Sequence, residues 1–89
     1  MILTRPLNAN ATGALIATGG RLYSVTLKGG SGNSALTIHD NASAASGVVL
    51  VDINALANDT TVVEVQGVFA NGLYATLSGT GATVTAYIF

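Results

Sequence analysis

The chain has no cysteine, one proline, one histidine and, in 89 residues, three cationic and four acidic side chains. Without cysteine no disulfide can staple a loop, and a thiolate metal site is excluded. The cations Arg5, Arg21 and Lys28 are scattered along the chain. Nucleic-acid binding draws most of its affinity from phosphates neutralised by many such groups, so no nucleic-acid partner is expected. No stretch approaches the ~20 consecutive apolar residues of a transmembrane helix, so no membrane partner is expected either. The start, Met1 to Pro6, lacks a basic segment followed by a long apolar run, and no signal peptide is expected. Asn10, Asn41 and Asn58 match the glycosylation sequon; without that signal they read as by-products of an Asn/Ser/Thr-rich chain.

What is present is apolar. Hydrophobic residues make up 49% of the chain and charged ones 8%, against a usual ~25% charged. Few charges leave little to hold exposed surfaces apart. A domain of this length buries only about two-thirds of the surface that its unfolded chain exposes. Small domains without disulfides or metals often find the missing burial in oligomer interfaces. Much of this surface is therefore expected to be covered by copies of the same chain or by a larger partner.

Short alternating runs separated by Gly, Asn, Asp and Ser dominate the pattern, at 13–18, 21–28, 35–40, 48–53, 60–66, 73–78 and 82–89. In 21–28, Tyr23, Val25 and Leu27 are expected on one face, with Leu22, Ser24, Thr26 and Lys28 on the other. The run 48–53 is apolar on both faces, which predicts a strand covered on both sides. Gly79-Thr80-Gly81 is expected to turn 73–78 and 82–89 into the arms of a hairpin. No helical period of useful length occurs. The pattern predicts an all-β fold, a small antiparallel β-sandwich or jelly roll of about seven to eight short strands. One domain spans 11–89. Residues 1–10 hold the only proline and no clear alternation, and are expected to form an N-terminal arm. The aromatic Phe89 predicts a C-terminus packed into the sheet.

The polar inventory offers little chemistry. His39 and Asp40 form the only His/acid pair, but neighbours in a strand point to opposite faces and would not bond to each other. The simpler reading is a surface histidine at a strand end. Asp40, Asp52, Asp59 and Glu64 show no spacing that pairs two carboxylates across a cleft. Asp40-Asn41 and Asn58-Asp59 read as turn residues that bond nearby backbone. The loop 54–61 has one carboxylate, too few for a calcium site. Gly29-Gly30-Ser31-Gly32 is followed by a strand and lacks the Lys-Ser/Thr pair of a phosphate loop. No catalytic residue, cofactor or metal is expected, and the chain does not read as an enzyme. At least three of the five aromatics, Tyr23, Phe69, Tyr74, Tyr87 and Phe89, are expected in the core. The alternating Thr26, Thr37, Thr76, Thr83 and Thr85 give neutral sheet faces that cost little to cover.

Gly20-Arg21-Leu22-Tyr23-Ser24-Val25, Leu36-Thr37-Ile38-His39-Asp40-Asn41-Ala42, Gly47-Val48-Val49-Leu50 and Gly72-Leu73-Tyr74-Ala75-Thr76-Leu77-Ser78-Gly79 carry a resemblance, together with Ala11-Thr12-Gly13. The chain resembles small virion proteins of tailed phages, the head decoration or cement proteins, including those of cyanophages, over about 11–89. The resemblance implies a β-sandwich that forms a homo-oligomer, most simply a trimer. It would sit on the outer capsid surface and bridge neighbouring copies of the major capsid protein. No functional residue is carried over. The contacts are expected at Arg5, Pro6 and Leu7 of the arm and at the aromatics Phe69 and Tyr74. The alternative is a tail or fibre module that binds a host-surface glycan, with Tyr74 and Asn71 as the nearest candidates.

Overall fold

A computed structural model describes residues 5–89. Eight strands follow in order: β1 (Arg5–Ala9), β2 (Gly13–Ile16), β3 (Gly20–Lys28), β4 (Ser34–His39), β5 (Val49–Ala55), β6 (Thr60–Phe69), β7 (Leu73–Ser78) and β8 (Thr83–Ile88). The expected all-β class holds, and there is no helix among the described residues. Two antiparallel sheets form, with strand orders β1-β8-β3-β6 and β2-β7-β4-β5. β1 pairs with β8, β2 with β7, β3 with β6, and β4 with β5. The chain is thus one long hairpin, bent at the loop between β4 and β5 and rolled up so that its two arms share both sheets. That is a jelly roll. Its smallest dimension is 16 Å, as two sheets stacked about 10 Å apart require.

Alternation explains which side chains meet between the sheets. Leu36 and Ile38 of β4, Leu73 and Ala75 of β7, and Val84, Ala86 and Ile88 of β8 are buried. Fully burying a large aliphatic side chain contributes about 1.5–3 kcal/mol, and these strands supply most of the core. β3 breaks its own alternation. Leu22, Val25 and Leu27 are buried, whereas Tyr23, expected beside Val25 and Leu27, is only half-buried. The register shifts between Leu22 and Ser24 on both sides of the strand. Against β8, Leu22 faces Ile88 and Ser24 faces Tyr87, so Tyr23 is an extra residue, a β-bulge. Against β6, Leu22 faces Gly67 and Ser24 faces Glu64, and there β6 carries the extra residue, with Gln66 at φ 50°.

Three expectations are corrected. The runs 73–78 and 82–89 are not a hairpin: β7 and β8 lie in different sheets, and Gly79 and Gly81, both at positive φ, carry the chain from one sheet to the other. The strand expected to be covered on both faces, β5, is an edge strand with Val49 half exposed. Within the stretch expected to be an arm, Arg5–Ala9 is β1, an edge strand on β8; residues 1–4 lie outside the described residues. Pro6 fits there because an edge strand can spare one N–H.

Candidate functional site

Of the five residues expected to make contacts, the structure separates rather than gathers. Arg5 and Pro6 are exposed on β1 at one edge of its sheet. Leu7, opposite Ala86, packs partly against the core. Tyr74 lies half-buried on the other sheet, with Ala14 and His39 as its cross-strand neighbours. Phe69 is 1% exposed and belongs to the core, so its ring offers no contact surface. It is also the only aromatic in the core, where at least three were expected. Tyr23, Tyr74 and Tyr87 are half-buried and Phe89 is 45% exposed. The Phe89 N–H donates to the Arg21 carbonyl at 3.1 Å, so its backbone is docked while its ring faces outward against Tyr23.

The two outer faces differ. β2, β7, β4 and β5 together hold a single charged residue, Asp52. Outward on this sheet, Thr37 lies between Asp52 and Thr76, and Ala35 between Asn54 and Ser78. His39 lies between Tyr74 and Val49. Val48, Val49 and Leu56 add exposed apolar surface along and just beyond β5. The other sheet carries all three cations, Arg5, Arg21 and Lys28, with Glu64 as its only acid.

His39 and Asp40 do not act as a pair. The Asp40 carboxylate accepts the backbone N–H groups of Ala70 (3.0 Å), Asn71 (2.8 Å) and Gly72 (3.3 Å), which locks the β6–β7 turn to the end of β4. The Nδ1 of His39 is buried without a hydrogen-bond partner. Asn41 behaves as expected of a turn residue, its Oδ1 accepting the N–H groups of Ser43 and Ala44. Among the described residues no group of three or more His, Asp or Glu is placed to hold a metal ion. Among the described residues no helix is long and apolar enough to cross a membrane.

No family model, no curated protein and no solved structure matches this chain. The jelly roll rests on its strand order alone.

Asp40 makes the turn sensitive to acid. The Ala70 N–H, then that of Asn71, favours the ionised carboxylate; burial opposes them, and the Gly72 N–H adds its part. The result is a pKa below the ordinary 3.8. Because the folded value is depressed, this stabilisation is complete above the unfolded pKa and disappears as pH falls through the folded one. Asp40→Ala is expected to lower the thermal midpoint clearly at pH 7. Its deficit relative to wild type is expected to shrink as both proteins are titrated to pH values well below the ordinary 3.8. Melting curves followed by circular dichroism across that range check this, and a deficit independent of pH would refute it.

Proposed function

We propose that this chain is a structural protein of a tailed-phage virion, a capsid decoration or cement protein. It oligomerises, most simply as a trimer, on the outside of the capsid and bridges copies of the major capsid protein. The observation that carries this reading is the start of β5. Val48-Val49-Leu50-Val51 is apolar on both faces, yet in the single chain it lies at a sheet edge with Val49 exposed and Val48 beside it 65% exposed. An apolar edge strand with free backbone groups is a template for pairing, and proteins cover such edges or charge them. Here nothing charges it except Asp52.

The adjoining outer face supports the same reading. Threonine, alanine and a half-buried tyrosine can be covered without desolvating charges. Jelly rolls recur in viral capsid domains, but a fold hosts many functions and the surface must make the case. Modest contacts suffice on a shell, because the lattice repeats them and avidity multiplies them.

The purified 8.9 kDa chain is expected to run as a multiple of its mass by light scattering and to co-sediment with phage heads stripped of their decoration protein. Val49→Lys, which charges the edge, is expected to give a monomer with an unchanged circular dichroism spectrum and to abolish co-sedimentation. A wild-type chain that stays monomeric at high concentration and ignores such heads would overturn the proposal.

A further inference from the structure

The sheet opposite that edge carries a second feature, built by the irregularity in β3 and β6. The bulge at Tyr23 and the extra residue in β6 coincide at one level of the sheet. Above them lies a cleft of about 350 Å³, lined by Arg21, Tyr23, Gln66, Gly67, Val68 and Phe89. That volume lies at the small end of ligand sites, which run about 300–1,000 Å³.

The cleft has an apolar wall and a polar rim. Tyr23 and Phe89 meet edge to face, ring centroids 5.6 Å apart at 71°, and leave the Phe89 ring 45% exposed. Val68, 74% exposed, extends the apolar surface. Gln66 holds a positive φ of 50°, uncommon for a residue with a side chain, and such conformations cluster where a side chain must be aimed. Its Nε2 donates to Glu64 Oε2 at 3.2 Å, which orients the carboxamide and leaves its carbonyl oxygen available. The exposed Arg21 supplies a fixed fork of donors.

We infer that this cleft binds a saccharide, a pyranose ring whose C–H face lies on Phe89 while Arg21 donates to its hydroxyl or carboxylate oxygens and the Gln66 carbonyl accepts from a hydroxyl. A pyranose ring combines an apolar face with polar groups around its rim, and the cleft is its complement. Planar guanidinium and carboxamide groups suit pairs of adjacent oxygens. The site lies on the sheet opposite the proposed assembly surface, so both can be occupied at once. It also differs from the position of Tyr74, which lies on the other sheet.

The purified chain would be screened on an array of neutral and uronic-acid-bearing glycans, and hits titrated by amide-resolved NMR. Shifts are expected at Tyr23, Gln66, Gly67 and Phe89. Phe89→Ala and Arg21→Ala are each expected to weaken binding by about tenfold or more, while Tyr74→Ala leaves it unchanged. Binding confined to acidic glycans would identify Arg21 as a carboxylate partner, and binding to neutral ones would identify hydroxyl recognition; either supports the site. An array with no hit, or a hit whose affinity survives both Phe89→Ala and Arg21→Ala, overturns it. Val68→Lys, at a position 74% exposed, gives an independent block with little risk to the fold.

Discussion

Phe69→Ala is expected to cost about 3–5 kcal/mol, as the loss of a fully buried aromatic ring does. Phe69 ends β6, pairs across the strand with Gly20, and is 1% exposed. Gly20 is small for this reason: a Cβ there would meet the Phe69 ring at 3.0 Å. The glycine leaves a trough that the ring fills, and alanine at 69 would leave it empty. Domains hold only about 5–15 kcal/mol in total, and small ones sit low in that range. The variant is therefore expected to be largely unfolded at 37 °C, and urea titration followed by circular dichroism measures the loss. Phe69→Leu, which refills part of the space, should recover some of it. A loss below about 1 kcal/mol for Phe69→Ala would contradict the packing described.

Gly30→Ala is expected to have the second largest effect, about 1–3 kcal/mol or more from a forced overlap. Gly30 sits where three connections between the sheets meet. Its carbonyl accepts the Asn58 N–H at 2.9 Å, and the next residue, Ser31, donates its N–H to the Thr80 carbonyl at 3.1 Å. A Cβ on Gly30 would overlap the Thr80 carbonyl oxygen and approach Gly81 within 2.6 Å. All of these neighbours are backbone, so none can swing aside. Gly32, two residues along the same loop, is the control: its Cβ would meet nothing within 4 Å. Gly32→Ala should be neutral, or stabilise by about 0.4–1 kcal/mol through the unfolded chain. In a domain of this size each kcal/mol moves the thermal midpoint by about 4–8 °C, so calorimetry separates the two variants easily.

Strand existence was legible because alternation and turn residues are local signals. Leu36 and Ile38 of β4, or Val84, Ala86 and Ile88 of β8, sit in the core as their spacing demands. Partnership between strands was not legible. Gly79-Thr80-Gly81 looks the same to sequence reasoning whether the chain turns back within one sheet or crosses to the other. The choice depends on β2 and β3, the distant strands that pair with β7 and β8. β1 was hidden for a similar reason. Proline and weak alternation are what an edge strand tolerates, and only its partner β8 reveals it.

The site residues divide along the same line. The apolar character of 48–53 is local and legible in the sequence, but whether the strand is covered on both sides within one chain is not, since position in a sheet is a property of the whole fold. Alternation groups Tyr23 on one face with Val25 and Leu27 because a period of two cannot register an inserted residue. Its bulge is marked only by the register of two other strands.

The nested pairing also bears on how fast the chain reaches its native form. Only β4 and β5, at the centre, are partners adjacent in sequence; every other pair joins segments progressively further apart, out to β1 with β8. Closing each wider loop costs entropy before its contacts repay it, so such topologies fold in milliseconds to seconds rather than microseconds. The innermost pair is the natural nucleus, and β5 therefore emerges early, bare and apolar, while the rest of the roll is still unformed. At high concentration, that interval is when premature association between half-folded neighbours is most dangerous.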